Sequence, residues 1–347
     1  MSTRRPLISF ILIAFNQERF ISEAVQGALA QTYSPLEIVL SDDCSCDRTF
    51  EIMRGMAAQY TGPHRIILNR NSATLGIGDH INAGMHLSSG ELAVIAAGDD
   101  ISLPERTQII YDAWQQYDRS ATSIYSDYSL IDEDGNPANG TNPSELKTGA
   151  LFQLKSGDMH TFLSTLTPLV NGCSHAWSRE LFNLFGDLPC SLMQEDMVLS
   201  FRSLAVGKII FVNRPLIRYR RHGDNLSFHG KDMACTSYTS QVAKRQIALK
   251  RHINAYDAIL ADICTLEGMH KYDRAYSLEL GQETKRVKRL CELELRFLTE
   301  GFGARATTMI EILKHSGMHL FTRLLPQLLP KYIYHRLRNF RQFLSSK

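Results

Sequence analysis

The sequence predicts an α/β protein: a doubly wound, mostly parallel sheet followed by an all-α extension. Three observations carry this. Short, β-branched apolar runs alternate with stretches of helical periodicity through the N-terminal third. The runs end in polar or acidic residues, where the strands of such a sheet present their carboxyl ends to a ligand crevice. From Lys231 onward the character changes to long helical stretches rich in Lys, Arg and Glu.

Leu7–Ala14 is a continuous apolar run, as expected of an interior parallel strand. Phe15-Asn16-Gln17 turns the corner, and Phe20–Ala30 places Ile21, Ala24, Val25, Ala28 and Leu29 at helical spacing. Leu36–Leu40 is the second strand and ends at Ser41-Asp42-Asp43. Asp47 is placed to cap a helix over Arg48–Tyr60. Arg65–Leu68, Gly76–Leu87 and Leu92–Ala97 continue the alternation as strand, helix and strand. Pro104, whose missing N–H costs nothing at a helix start, opens a helix to Tyr117. Ser123–Ile131 reads as a strand ending in the turn Asp132–Asn136, and Pro137–Thr148 as a loop near the site. Met159–Leu166 is a short helix, and Gly172–Trp177 a strand feeding the helix Ser178–Phe185. A helix over Met197–Val206 follows Glu195-Asp196. Ile209–Val212 and Leu216–Tyr219 are two further strands, leading to the basic turn Arg220–Asn225. Gln241–Leu266 and Leu278–Thr299 are long helices, followed by Ala304–Lys314 and Leu320–Leu329.

The chain has 347 residues, 44% hydrophobic and 21% charged, enough for a full core and two domains, divided here at 1–228 and 229–347. A formal net charge of +2 argues against a general nucleic-acid binder. The seven cysteines are odd in number and scattered, which suits reduced thiols in a cytosolic protein rather than a disulfide framework. Arg4-Arg5 before an apolar run resembles the start of an export signal, but the run stops at Asn16 without a cleavage site and is too short to span a bilayer. A first strand is the better reading.

Two acid pairs stand out. Gly98-Asp99-Asp100 stops the run Leu92–Ala97, and two carboxylates at a central strand end form a hard oxygen site suited to Mg2+ or Mn2+ carrying a diphosphate. A helix cap and a solvated loop is the alternative. Polar groups at Phe15-Asn16, Asp42-Asp43 and Asp99-Asp100 can converge on one edge, which favours a site. Glu195-Asp196 opens a helix, where the dipole favours negative charge, so capping competes with chemistry there too.

These pieces, in order, resemble the family-2 glycosyltransferases of the GT-A fold. The match runs through Ile11–Asn16, Ala30-Gln31-Thr32-Tyr33, Glu37–Thr49, Asn82-Ala83-Gly84, Gly90-Glu91, Gly98-Asp99-Asp100 with Pro104-Glu105-Arg106, and Glu195-Asp196, and covers residues 7 to about 228. The resemblance implies inverting transfer of a sugar from a nucleotide-diphosphate donor to an acceptor. It implies that Phe15 lies beside the donor base, with Ala14 against the nucleotide and Asn16 next to it, and that Asp43 accepts from the base, most naturally the N3–H of uracil or thymine. Asp100 would bind the divalent ion, Asp99 the ribose or a metal-bound water, and Asp196 would be the general base with Glu195 beside it. Arg220 and Arg221 would face the diphosphate, and His222 would reach the metal. Two departures bear on this: the family often has a further Asp where this chain has Ala97, and Phe15 replaces the commoner Tyr.

The implied partners are a nucleotide-sugar donor, UDP- or TDP-type, and a glycan or lipid-linked acceptor, in bacterial surface polysaccharide biosynthesis. A nucleotidyltransferase is disfavoured because the turn Phe15–Glu18 is acidic and lacks glycine. The other rival is a degenerate nucleotide-binding scaffold whose helical tail mediates assembly. Ile333, Leu337, Phe340 and Leu344 form a stripe on a basic tail, so residues 318–347 read as a peripheral contact to the inner face of the membrane, as packing on the protein itself, or as a homo-oligomer contact.

Overall fold

The structure is a computed structural model that describes residues 5–138, 150–155, 159–165, 170, 172–223, 225, 238–300, 305 and 307–312. The expected tail contact at 318–347 and nearly all of the loop 137–148 lie outside the described residues.

The chain alternates as expected at first: β1 Ile8–Ala14, α1 Ile21–Leu29, β2 Leu36–Asp42, α2 Thr49–Gln59, β3 Arg65–Arg70, α3 Ile77–Leu87 and β4 Leu92–Ala97. A two-residue strand β5, Ile101–Ser102, precedes α4, Arg106–Gln116, and the long strand β6, Ala121–Ile131. Then come β7 Phe152–Lys155, α5 Met159–Thr165, a 3-10 turn Gly172–Ser174, β8 His175–Ser178, α6 Arg179–Phe185, α7 Glu195–Val206 and β9 Lys208–Arg220. Two long helices, α8 Tyr238–Gly268 and α9 Arg274–Thr299, follow. The strands form one mixed sheet in the order β3-β2-β1-β4-β8-β6-β9-β5, with β7 paired to β9. β1 to β4 are mutually parallel, β8 runs antiparallel to β4 and β6, and β6 and β9 are parallel again.

Period-two alternation divides β1 between two cores. Ile8, Phe10, Leu12 and Ala14 face the layer of α1, α2 and α4, whereas Ile11 packs with α3 and the helices from α5 to α9. Leu249, Ile259, Leu280 and Phe297 of α8 and α9 therefore share one buried cluster with Ile11 and Val39 of the sheet. Each such side chain contributes roughly 1.5–3 kcal/mol by leaving water.

Four elements differ from the sequence reading. Gly172–Ser174 coils as a 3-10 turn and only His175–Ser178 is extended. The two strands expected around Pro215 are one, β9. Its register against β6 slips between Ser126↔Val212 and Asp127↔Pro215, and such an irregularity admits a proline that cannot donate to the ladder. The short strands β5 and β7 were not anticipated, being too brief to show a period.

Arg202 of α7, 2% exposed, locks the helical layer together. Its Nε donates to Asp262 Oδ2 of α8 at 2.8 Å, and two further donors reach the carbonyls of Gly186 and Asp187. Asp262→Ala strands that guanidinium and is expected to cost about 3–5 kcal/mol in urea unfolding. Asp257→Ala, which removes an exposed partner of Lys288, is expected to cost about 1 kcal/mol or less.

Candidate active site

The parallel strands bring three polar ends to one edge. The ladder continues past the strands, with Asp43 N donating to Ala14 O at 2.9 Å and Gly98 N to Ile13 O at 3.0 Å. Phe15 and Asp43 thus stand side by side at adjoining strand ends. Phe15 is 45% exposed, while Ala14 is buried. Asn16 takes a left-handed backbone (φ 51°), its N–H donates to Ser45 Oγ at 2.8 Å, and its Oδ1 accepts from Cys46 N at 2.9 Å. It fastens the β1 and β2 end loops to each other. Buried Asp43 accepts from Asn71 Nδ2 (2.8 Å), Leu75 N (2.9 Å) and Gly76 N (3.0 Å), which fixes the loop before α3. A carboxylate offers about four acceptor positions, so one remains for a ligand donor.

The second group is built on Asp99 and Asp100. Asp99 Oδ2 accepts from His222 Nε2 at 3.0 Å and Asn225 Nδ2 at 3.3 Å, and the His222 ring rests on Phe20, 4.7 Å between centroids. Asp100 Oδ1 accepts from Arg220 N at 2.9 Å, while its Oδ2 is buried and has no partner among the described residues. Burial, and next the charge of Asp99, pushes the Asp100 carboxyl well above the usual range. An orphaned, desolvated carboxylate oxygen beside a second carboxylate suits a cation. Among the described residues, however, no three or more His, Cys, Asp or Glu converge as a metal cage.

Arg220 differs from the expectation of a guanidinium turned toward a diphosphate. It is 1% exposed, donates from Nε to Asp99 O at 3.0 Å and from Nη1 to Glu133 O at 2.9 Å, pairs with Glu23 of α1, and lies over the Phe20 ring. These contacts hold its charge inside the protein. Arg221, half-buried, donates its N–H to Ile131 O at 2.9 Å.

The third group is Glu195-Asp196 in the first turn of α7. Asp196 Oδ1 accepts from Met197 N at 2.9 Å. Burial lifts Asp196 to about 6; burial and then the Asp196 charge lift Glu195 to about 8. Both carboxyls of the pair therefore hold a proton to higher pH than free ones do. Glu195 presses on the 3-10 turn so closely that a Cβ at Gly172 would lie 2.5 Å from Glu195 Oε1.

That turn links the two acid pairs. Burial and the nearby Asp100 charge raise the Cys173 thiol, one residue from Gly172. Beneath it lies Arg106, wholly buried, donating to Ser102 Oγ (2.8 Å), Ile95 O (2.7 Å) and Cys173 O (3.1 Å). Burial lowers it to about 10. Sequence reading gave Arg106, Gly172, Asn225 and Glu23 no role. Only Arg106 left a local signal, an arginine in the first turn of a helix just past two acids.

Residues 9–168 match the glycosyl transferase family 2 model. An uncharacterized glycosyltransferase of Rickettsia conorii is 30% identical over 219 residues, covering 63% of this chain and 34% of that protein. The chain thus spans about a third of the length of that relative and of its Rickettsia felis counterpart. The glycosyltransferase GlyG of Streptococcus pneumoniae is 24% identical over 251 residues, covering 70% of this chain and 80% of GlyG. The crystal structure of S. aureus TarS 1-349 in complex with UDP-GlcNAc superposes with a TM-score of 0.50 at 14% identity, over 84% of this chain and 81% of TarS, a likeness of fold.

Gly98 lets the acids approach the end of β1: a Cβ there would sit 2.4 Å from Gln17 Oε1 and 2.8 Å from Ala14 Cβ. Gly98→Ala is expected to lower stability by about 1–3 kcal/mol through overpacking, read as a drop in the urea midpoint.

Proposed function

From the premise that this chain belongs to glycosyl transferase family 2, we propose that it transfers a sugar, with inversion, from a UDP- or TDP-type donor to a hydroxyl of a glycan or lipid-linked acceptor. What supports this reading above all is the single 3-10 turn that touches Glu195 at Gly172 and lies within the field of Asp100 at Cys173. One turn thus borders both the Glu195-Asp196 end of α7 and the Asp99-Asp100 end of β4, as a base and a diphosphate site acting on one sugar would require.

Phe15 offers an exposed face to the base and Asp43 an acceptor for an imide N–H, the pattern of uracil or thymine. Asp99 and Asp100, whose orphaned Oδ2 suits a hard ion, would hold Mg2+ or Mn2+, which when bound offsets the charge gathering on the departing diphosphate. With Ala97 where a third acid could stand, these two carboxylates alone would hold the ion. Asp196 removes the proton of the acceptor hydroxyl as its oxygen attacks the anomeric carbon from the face opposite the diphosphate, whose C–O bond breaks. Glu195, buried beside Asp196, also holds its proton more tightly than a free carboxyl, so the pair resists carrying two negative charges together. Arg220 acts by orienting Asp99 and Asp100, and Arg221 with His222 completes that end of the site. The process, bacterial surface polysaccharide assembly at the cytoplasmic side, rests on the family resemblance. Among the described residues no helix is long and apolar enough to cross a membrane.

The reading is tested by incubating the full chain with a panel of nucleotide sugars plus Mn2+, Mg2+ or EDTA and measuring released nucleotide diphosphate. Metal-dependent release from a UDP- or TDP-sugar, lost in Asp100→Ala, is expected. No release together with no nucleotide binding by calorimetry would leave the scaffold reading in its place.

Two predictions follow from Asp196 as base. Asp196→Asn should slow transfer about 100- to 10,000-fold while UDP affinity stays close to that of the parent. The wild-type kcat/KM should fall as pH drops through about 6, because protonated Asp196 cannot accept the hydroxyl proton. A flat acid limb from pH 7.5 to 5 would remove Asp196 from the role.

A further inference from the structure

Two aromatic side chains beside the acids have no part in the chemistry above. Tyr128 on β6 and Tyr219 on β9 meet with ring centroids 5.4 Å apart and planes at 54°. Both are half-buried, and neither phenol hydroxyl has a hydrogen-bond partner among the described residues. A tyrosine sunk this far usually ties its hydroxyl to the protein. Here two O–H groups on one aromatic surface are left for something else.

Sheet order locates the pair. The base-side residues Phe15 and Asp43 follow β1 and β2, the acids follow β4, and β6 and β9 lie beyond, so the tyrosines stand across the acids from the nucleotide end. The 3-10 turn that touches Glu195 packs on β4, β6 and β9 alike. Burial and then Cys173 raise both phenols, with Asp100 contributing to each, so they remain neutral donors close to the acids.

The two rings narrow the ligand. Their faces carry the negative end of the aromatic quadrupole and do not favour an anionic acceptor such as a polyol phosphate, and a bare alkyl chain would bury two hydroxyls without partners. A pyranose suits both features, with a C–H face to lie on the rings and hydroxyls to accept from the phenols.

We infer that Tyr128 and Tyr219 form the floor of the acceptor subsite and select a neutral saccharide ring there. This rests on the transferase reading and deepens it by naming the acceptor class and two residues that hold it.

The test is saturation-transfer NMR on the full chain with UDP and diamagnetic Mg2+, using methyl glycosides of glucose, galactose, mannose and N-acetylglucosamine, and sn-glycerol 3-phosphate as the anionic probe. Wild type should saturate the ring protons of at least one glycoside and not the phosphate. Tyr128→Leu and Tyr219→Leu should weaken that glycoside about 10-fold, with UDP affinity and melting temperature held. Tyr128→Phe and Tyr219→Phe keep the rings and the fold, and should lose a smaller factor by loss of the hydroxyls alone. Equal binding in all four variants, no glycoside signal in a preparation that binds UDP, or preferred binding of the phosphate would each overturn the inference. Failure of wild type to bind UDP at all would strike the donor reading, and this one with it.

Discussion

Two adjacent carboxylates at the end of β4 repel each other, and the rest of the site depends on how that repulsion is met. Arg220 meets it from one side without exposing its charge. Its backbone N–H serves Asp100, its Nε serves the carbonyl of Asp99, and its remaining donors hold the turn after β6 and Glu23 of α1. Arg106 meets it from below, buried among Ser102, Ile95 and Cys173. A buried guanidinium is tolerable only when its donors are matched, and each of these reaches at least three acceptors on different elements. These bonds hold two guanidinium charges near the acids and also tie β4, β9, α1 and the 3-10 turn into one frame.

That frame accounts for the asymmetry of the carboxylates. Asp43 accepts three hydrogen bonds. Asp100 keeps one oxygen bonded and one bare, in a buried setting that raises its affinity for protons and cations alike. Glu195 and Asp196 are desolvated, and the opposing charge of Arg251 does not offset that burial, so their proton affinities climb. Native structure gains nothing from such groups when they ionise, since a carboxyl with a raised folded-state value disfavours the folded state above that value. Residues of this kind are kept for what they do rather than for stability.

Stability comes from elsewhere. The sheet is sandwiched between two apolar layers, and the layer of α3 and α5 to α9 places the long helices against the same cluster as Ile11 and Val39. The bidentate pairing of Arg202 with Asp262 fixes α7 to α8, and α7 is the helix that carries Glu195 and Asp196 at its start. The helical extension thus bears on the site through α7, although none of its described residues needs to touch a ligand.

By itself the sequence determined the alternating elements up to β4, the acid pairs and their strand or helix ends, because hydrophobic period and turn chemistry are local properties of the chain. It mistook Gly172–Ser174 for a strand and divided β9 in two, since a single 3-10 turn and a bulge at Pro215 have no period to read. Asp43, Asp100 and Asp196 were legible as acids at element ends, but what distinguishes them was not. Only the tertiary structure decided that Arg220 faces inward, that Asn16 binds one loop to another, that Gly172 yields its Cβ space to Glu195, and that Tyr128 and Tyr219 meet beside the acids. Each of these joins residues far apart in the chain, and burial and charge pairing are properties of the space they share rather than of any stretch of sequence.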